Sequence, residues 1–254
     1  MNDGAADVQP SAAARYLRRT ADVLEGILAD EIPSIRAAAE LCAHAVARGG
    51  LIHVLGTGHS HILAEELFYR AGGLAAVNPI LDDRLMLHVS AIDSTRLERL
   101  ATIGEDVLAG LTLAAGDAMI VASNSGGNAV CNVVAAGARR AGVRVIAVVS
   151  RAHAASVRDG DATPGTLLDV ADVVVDNHGA VGDASIVVAG VAQPVGPTST
   201  VAGAAIVNAI AAETAHVLGG LGAAVGVLAS SNVAGGDEHN EAVLAPFRGR
   251  VTSL

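Results

Sequence analysis

The feature that most constrains the fold is a regular alternation between short apolar runs and longer segments with helical periodicity. We predict buried strands at residues 51–56, 75–80, 118–123, 143–150 and 173–177. Helical segments separate them, among them 60–70, 128–142 and a last helix at 199–218. Apolar strands that alternate with helices are typical of parallel sheets whose two faces are both covered. We therefore predict an α/β protein with a doubly wound parallel sheet.

Further helices, and one more extended segment, are predicted outside the segments named above. Two helices are predicted before the first strand, because apolar residues recur at helical spacing over 13–30 and Pro33 is suited to opening a second helix. Ser94 or Thr95 is expected to cap a helix that runs to Gly110, with Glu98 completing a capping box on the second choice. Residues 185–190 are predicted as an edge strand or an extended connection.

No repeat or linker divides the chain, so we expect a single domain over residues 13–254 after a disordered stretch at 1–12. The net charge is −10, and no basic stripe is present that could bind nucleic acid. The N-terminal residues do not resemble a signal peptide, and no unbroken apolar run is long enough to span a membrane. Cys42 and Cys131 fit small core positions, as expected in a reducing compartment. We expect a cytoplasmic protein without membrane or nucleic-acid partners.

Residues 56–61, Gly-Thr-Gly-His-Ser-His, follow the first predicted strand and open a helix. Gly56 and Gly58 permit a tight turn, and Ser60 is placed to cap the helix. The helix dipole and the free N–H groups there favour an anion. A dinucleotide fingerprint would require a third glycine where His61 stands, and the lysine of a Walker A loop is absent. A plain turn with a serine cap is the alternative interpretation of this loop.

Two further polar loops occupy similar positions. Ser123, Asn124, Ser125 and Asn128 lie with two glycines between a strand and a helix, and Ser199 and Thr200 open the final helix. Ordinary capping requires one such residue, whereas these loops carry several without a charged side chain. Because ligands of open α/β sheets bind beyond the carboxyl ends of the strands, we expect the three loops to form one anion site.

Together, GTGHSHILAEE, VASNSGGNAV and VGPTSTVAGAAIVNAI resemble the signature loops of sugar isomerase (SIS) domain proteins, and the likeness to phosphoheptose isomerase-like members is strongest. The resemblance covers residues 35–220. It implies a five-stranded parallel sheet with a small phosphorylated sugar bound at the strand ends. It also implies that the phosphate or sugar ligands are Ser60, Ser123, Ser125, Asn128 and Ser199 or Thr200.

The resemblance implies a catalytic carboxylate as well. In phosphoheptose isomerases a similar AEEL stretch carries the catalytic glutamate, which favours Glu66 over Glu65 here. This stretch stands about one helical turn closer to the loop serine than in that family, and Arg70 occupies the family's usual position. An ion pair between either glutamate and a cation such as Arg70 is therefore an equal alternative. His61, beside the loop serine, is a second candidate for an acid/base role.

Glu238 and His239 belong to a polar segment, 230–240, whose two glycines could bring them into a site, including that of a neighbouring subunit. An exposed acidic turn is the other interpretation. No organic cofactor is expected. A divalent metal held by His59, His61, Glu65 and Glu66 is a minor alternative, since no HExxH or paired-cysteine motif is present.

The leading hypothesis is thus an enzyme that isomerises or otherwise enolises a sugar phosphate, with an acid/base pair near the loops. A sugar-phosphate sensor without turnover is the alternative, and an NAD-dependent dehydrogenase is disfavoured by the missing glycine. The resemblance further implies a homodimer or homotetramer.

Overall fold

The computed structural model of the chain describes residues 10–158 and 166–254. Its centre is one parallel sheet in the order β2-β1-β3-β4-β5. The strands are β1 (Ile52–Gly56), β2 (Val77–Ile80), β3 (Ala118–Ala122), β4 (Arg144–Val149) and β5 (Val173–Asp176). The predicted doubly wound sheet of five parallel strands is confirmed.

Ten helices accompany the sheet within the described residues. They are α1 (Ala12–Asp30), α2 (Ile32–Ala47), α3 (Ile62–Leu67), α4 (Leu87–Leu97), α5 (Ala101–Ala109), α6 (Ala129–Arg140), α7 (Arg151–Arg158), α8 (Leu167–Val170), α9 (Ser199–Gly220) and α10 (Gly236–Leu244). Both predicted N-terminal helices are present. Ser11 Oγ accepts a hydrogen bond from Ala14 N at 3.2 Å and caps α1. The ordered chain therefore starts before the predicted boundary at residue 13, and residues 1–9 of the predicted disordered stretch lie outside the described residues.

The two faces of the sheet carry separate hydrophobic cores because successive strand residues point to opposite sides. Ile52, Val54 and Ile120 pack against α1, α2, α3 and α9. Leu55, Met119 and Val121 pack against α5, α6 and α8. Because helices cover both faces of the sheet, polar side chains are expected at its two ends and not on its faces.

The outer edges of the sheet are closed in two different ways. Pro79 stands in the edge strand β2, where it offers no N–H to a further strand. At the opposite edge, Glu31, at the junction of α1 and α2, accepts a hydrogen bond from Asp176 N of β5 at 3.2 Å. A β-strand added at either edge would lose a donor that pairing requires.

The predicted helix from Ser94 or Thr95 to Gly110 is wrong. Two helices, α4 and α5, occupy this region, and the proposed capping residues lie inside α4. Ser94 Oγ donates to Leu85 O at 2.7 Å, and Thr95 Oγ1 donates to Ala91 O at 2.9 Å. The capping-box pattern failed because these hydroxyls bond carbonyls that precede them in the chain.

Two other predictions need correction. Residues 58–61 form a 3-10 turn, α3 follows at Ile62–Leu67, and Ser60 is not its cap. The predicted strand or connection at 185–190 contributes only part of a short antiparallel hairpin, which pairs β6 (Ala184–Ile186) with β7 (Val195–Pro197) outside the main sheet.

Helix α9 has the length and the mean hydropathy, 1.5, of a membrane span. Its side chains Ala202, Ile206, Val207 and Ile210 are buried in the core beside α2, and 39% of its most apolar window is buried in all. Cys42 and Cys131 are free and buried, as predicted. Burial raises the pKa of each thiol to about 12.

Candidate functional site

The three polar loops meet beyond the carboxyl ends of β1, β3 and β4, where they enclose a cleft of about 20 Å³. We call this the strand-end cleft. Its lining is formed by His59, Ser60, Leu63, Ala122, Ser123, Asn124, Val148, Asn177, Ser199 and Thr200. Of these residues His59 alone is titratable. The loops therefore form a nearly uncharged, hydroxyl- and amide-lined recess, with room for about one water molecule.

The loop at 56–61 owes its shape to its two glycines. A β-carbon on Gly56 would overlap the carbonyl of Ser60, so only glycine allows the turn to close over the strand end. Gly58 has a φ of +55°, a left-handed conformation that glycine adopts freely. Ser60 N donates to Thr57 O at 3.0 Å, which fixes the turn and directs Ser60 and His59 toward the cleft.

The loop at 123–128 connects β3 to α6. Gly126 N donates to Ser123 O at 3.0 Å, and Gly126 has a φ of +63°. Ser125 Oγ accepts from Gly127 N at 3.3 Å. Asn128 stands at the N-cap of α6, but its side chain makes no capping hydrogen bond; its Nδ2 donates instead to Thr57 Oγ1 at 3.3 Å. The first and second loops are thus joined by a direct hydrogen bond.

Two hydroxyls at this end of the sheet are buried without a hydrogen-bond partner among the described residues. Ser123 is 3% exposed and Thr198 is 1% exposed, and neither Ser123 Oγ nor Thr198 Oγ1 has a partner. Buried polar groups nearly always have partners in folded proteins. Ser123 lines the cleft, so its unpartnered hydroxyl indicates a place where a bound group supplies the missing hydrogen bond, whereas Thr198 is not among the lining residues.

At the start of α9 a residue that we did not predict, Asp183, takes part. Asp183 Oδ1 accepts hydrogen bonds from Thr198 N at 3.1 Å and Ser199 N at 2.9 Å. Its Oδ2 accepts from Ser199 Oγ at 2.6 Å. The hydroxyl of Ser199, which we assigned to ligand binding, is therefore engaged by a carboxylate of the chain itself.

A second unpredicted carboxylate lies behind the first loop. Glu98, immediately after α4, accepts a hydrogen bond from Thr57 Oγ1 at 2.7 Å through its Oε2. This oxygen would also lie 3.6 Å from a β-carbon placed on Gly58. Glu98, Thr57 and Asn128 form one hydrogen-bonded row, so a carboxylate stands directly against the loop that carries Ser60.

Glu66 and Glu65 do not line the strand-end cleft. Glu66 Oε1 is bound by Arg70 and accepts from Asn208 Nδ2 at 2.6 Å, which is the ion-pair alternative of the sequence analysis. Asn208 follows Thr200 by eight residues on α9, about 12 Å along the helix axis. His61 lies closer to the loops: its Nδ1 contacts Gly58 O, its Nε2 is 3.8 Å from Glu65 Oε1, and its ring is 6.1 Å from that of His88.

Glu238 and His239 are placed in the first turn of α10, not in a flexible turn. His239 Nε2 lies 2.8 Å from Val227 O. Val227 in turn forms a β-bridge with Leu74, which precedes β2 and lies toward the amino end of the sheet. The neighbouring cavity, about 470 Å³, is lined by Phe68, Tyr69, Asp237, Glu241 and Arg248 among others. Within one chain the segment does not join the strand-end cleft, so the prediction of a shared site requires a neighbouring copy.

The four metal-ligand candidates, His59, His61, Glu65 and Glu66, do not form a coordination set, because Glu66 is turned to Arg70 and Asn208. Across the described ranges, no group of three or more His, Cys, Asp or Glu side chains is arranged to hold a metal ion.

Comparison with known proteins identifies the family. The family model for the SIS domain matches residues 15–150. This chain belongs to the SIS domain family. The UPF0309 protein of Listeria innocua is 40% identical over 239 residues, which span 94% of this chain and 97% of that protein. The UPF0309 protein of Geobacillus kaustophilus is 36% identical over 94% of this chain and 96% of its own.

Solved SIS structures agree with the fold. The phosphoheptose isomerase of Francisella tularensis superimposes with a TM-score of 0.55 at 15% identity, over 80% of this chain and 95% of that one. The phosphoheptose isomerase of Neisseria gonorrhoeae gives a TM-score of 0.52 at 17% identity, over 80% and 96% of the two chains. At these identities the likeness establishes the SIS fold of this chain.

Asn177, Glu98 and Asp183 were missed in the sequence. Asn177 directly follows β5, as the predicted loops follow their strands, and its Nδ2 donates to Asn124 Oδ1 at 2.9 Å. Its position at a strand end was the signal that could have found it. Glu98 was noticed only as a capping residue. Asp183 carried no local signal, because its partners lie fifteen and sixteen residues later in the chain.

Proposed function

We propose that this SIS protein binds a small phosphorylated sugar at the strand-end cleft and catalyses an aldose–ketose isomerisation or a related enolisation. The observation that carries the binding half is the buried hydroxyl of Ser123, which lines the cleft where the three loops meet and has no hydrogen-bond partner among the described residues. Phosphate oxygens accept hydrogen bonds from such hydroxyls and from helix N-termini. The names of the structurally similar isomerases support the same ligand class.

The cleft has room for a group of about the size of a water molecule, such as one phosphate oxygen or one hydroxyl, but not for a sugar ring, since its volume is about 20 Å³. The ring would lie at the mouth of the cleft, near the loop of residues 56–61. Proton transfer between C1 and C2 requires a carboxylate or imidazole in reach of both carbons. The geometry favours Glu98, because its carboxylate is hydrogen-bonded to Thr57 in that loop. Glu66 remains the candidate that the family resemblance implies.

The proposal also covers the location, assembly and partners of the protein. We propose a cytoplasmic homodimer or homotetramer, without nucleic-acid or membrane partners and without an organic cofactor. Leu17 and Leu28 on α1 are each 67% exposed, which supports association because large apolar side chains gain free energy when a second copy covers them. A site completed by Glu238 and His239 of such a copy belongs to this proposal.

A binding and exchange experiment tests the function. Calorimetric titration with sugar phosphates is expected to show binding that the corresponding unphosphorylated sugars lack. With a bound substrate in deuterated water, wild-type protein should exchange the C2 proton. Glu98→Gln should abolish this exchange while changing affinity by less than about threefold, which corresponds to about 0.6 kcal/mol. Glu66→Gln, the matched control, should retain the exchange.

The outcomes separate the competing functions. Loss of exchange in Glu66→Gln but not in Glu98→Gln would assign the role to Glu66. Phosphate-dependent binding with no exchange in the wild type would instead support the sugar-phosphate sensor. Binding of NADH with no binding of any sugar phosphate would contradict both.

A further inference from the structure

A row of hydrogen bonds runs from the last residues of the chain into the amino end of the sheet. Thr252 N donates to Asn78 Oδ1 at 2.9 Å, and Asn78 Nδ2 lies 3.0 Å from His53 Nδ1. On the other side of the ring, His53 Nε2 lies 3.1 Å from Asp117 Oδ2. The three side chains of the row are buried, so water does not compete for the bonds between them.

The row has one direction, because a backbone N–H can only donate. Thr252 N–H fixes Asn78 Oδ1 as an acceptor, so the amide nitrogen Nδ2 is turned toward His53. Since Nδ2 is a donor, His53 Nδ1 must be unprotonated. The proton of the neutral ring then lies on Nε2, which donates to Asp117. The hydrogen bonds thus determine which tautomer of His53 is present.

A second proton on His53 has no acceptor in this row. A protonated Nδ1 and Asn78 Nδ2 are both donors, so the hydrogen bond between them is lost. Rotation of the Asn78 amide by half a turn presents Oδ1 to the ring, but it then turns Nδ2 toward Thr252 N, which is also a donor. An unpaired imidazolium in the interior costs more free energy than an unpaired N–H at the exposed residue 252. We therefore place the loss at Thr252.

The groups around His53 do not relieve this conflict. Burial lowers the pKa of His53, and Asp117, the one charged side chain in the described ranges that acts on its titration, offsets only part of this effect. The neighbouring strands present Asn78 from β2 and Met119 from β3, and both are uncharged. Arg250, close to Thr252 in the chain, donates to a backbone carbonyl at 2.7 Å. No second carboxylate is therefore at hand to accept a proton from Nδ1 in the part of the chain that the structure describes.

Residues 252–254, which we call the C-terminal segment, depend on the bond to Asn78. Val251, just before the segment, is buried, whereas the three residues of the segment are exposed. Leu254 N donates back to Val251 O at 3.4 Å. Within residues 10–158 and 166–254, the bond from Thr252 N to Asn78 is the only other hydrogen bond that the segment makes. Its loss leaves the segment without a polar contact to the sheet.

The C-terminal segment forms part of the wall of a cavity. Ser253 and Leu254 line the cavity of about 470 Å³ together with Phe68, Tyr69 and side chains of α10. Movement of the segment away from Asn78 would widen this cavity.

We propose that the C-terminal segment is a pH-controlled flap over the cavity beside α10, which neutral His53 holds through Asn78 and protonated His53 releases. The flap is docked above the titration of His53 and released as the pH falls through it, below about pH 6.5. Because the coupling is reciprocal, docking of the flap in turn disfavours the second proton on His53. This device goes beyond the proposed function and does not depend on sugar-phosphate binding at the strand-end cleft.

NMR of the ¹⁵N-labelled full chain between pH 7.5 and the onset of acid unfolding tests the proposal. Imidazole ¹⁵N shifts should show the Nε2–H tautomer of His53 at pH 7.5. As His53 takes up its second proton, the heteronuclear NOE of Ser253 and Leu254 should fall toward that of a free chain end. Protection of the Thr252 amide against hydrogen exchange, corrected for the intrinsic pH dependence, should fall roughly tenfold, as expected for one lost hydrogen bond.

Three variants separate the coupling from a general effect of acid. Asn78→Asp supplies a carboxylate that accepts from both Thr252 N and a protonated His53 Nδ1, so the flap should stay docked while the ring is charged. His53→Gln does not titrate, and its flap should stay docked over the same range. His44→Gln removes an exposed histidine of α2 and should respond as the wild type does.

Several results would overturn the proposal. One is a neutral His53 that carries its proton on Nδ1. Another is a wild-type segment that stays ordered after His53 is protonated, or until the whole domain unfolds. Release of the segment in a folded His53→Gln variant at the same pH as in the wild type would assign the effect to another group. Release in a folded Asn78→Asp variant as His53 is protonated would contradict the role of the Asn78 amide.

Discussion

Buried polar side chains lie at both ends of the central sheet, and the two groups differ in how completely they are hydrogen-bonded. At the amino end, Asp117 accepts from Leu51 N and Ala114 N, each at 2.9 Å, and lies 3.1 Å from His53 Nε2. The other nitrogen of His53 is paired with Asn78, whose Oδ1 accepts from Thr252 N. At the carboxyl end, Ser123 Oγ and Thr198 Oγ1 have no partner in the described part of the chain.

The difference separates a structural network from a binding site. A buried polar network stabilises a fold only when its members satisfy one another, and the His53 network meets that condition. The Ser123 hydroxyl of the strand-end cleft does not meet it, so its hydrogen bond is left for a ligand. Substitutions at the amino end should therefore change stability, and substitutions at the carboxyl end should change binding.

The largest expected effect is that of Asp117→Ala. It leaves the N–H groups of Leu51 and Ala114 and the His53 ring without their acceptor, and each buried donor left unpaired costs about 1–3 kcal/mol. We expect the free energy of unfolding to fall by about 3 kcal/mol, measured by urea denaturation. Affinity of the folded variant for a sugar phosphate should be unchanged. A loss of stability below about 1 kcal/mol would mean that this network contributes little to the stability of the fold.

The next effect concerns pH. Burial lowers the pKa of His53, and the hydrogen bond and charge of Asp117 offset only part of this effect. The unfolded chain binds a proton at His53 near pH 6.5, whereas the folded chain does so only at lower pH. The unfolded state then carries more protons, so stability should fall as the pH drops below about 6.5, by at most about 1.4 kcal/mol per pH unit from this group.

Urea denaturation at several pH values between 5 and 7 measures this slope. His53→Gln retains a donor for Asp117 but does not titrate. It should reduce the slope of the unfolding free energy against pH by up to about 1.4 kcal/mol per pH unit, the contribution of one proton. An unchanged slope in that variant would assign the pH dependence to other histidines.

The smallest effect on stability is expected for Ser123→Ala. The change removes a buried hydroxyl that has no partner within residues 10–158 and 166–254, so the free energy of unfolding should stay the same or rise by less than about 1 kcal/mol. Affinity for a sugar phosphate should nevertheless fall roughly tenfold, equivalent to about 1.4 kcal/mol. A marked loss of stability would indicate that this hydroxyl serves the fold, and the contrast between the two ends would fail.

The sequence predicted the parts of the site that depend on local pattern. Ser123 directly follows an apolar run and Ser60 lies four residues after another, and a parallel sheet brings the ends of such runs to one edge. Glu98 and Asp183 could not be found in this way. Thr57 and Glu98 are 41 residues apart, and their contact depends on where α4 crosses the first loop. The capping pattern at Thr95 was misleading because Thr95 lies inside α4, where its hydroxyl donates to Ala91 O, and Glu98 accepts from Thr57 instead.

The closed edges of the sheet bear on how copies of this protein can associate. A free strand edge is a template on which another chain can add, and natural sheets usually obstruct it. Here Pro79 removes a donor at one margin, and the carboxylate of Glu31 occupies a donor at the other. Neither margin offers a full row of donors to an incoming strand. Assembly by continuation of the main sheet, ordered or amyloid-like, is thus obstructed while the domain stays folded.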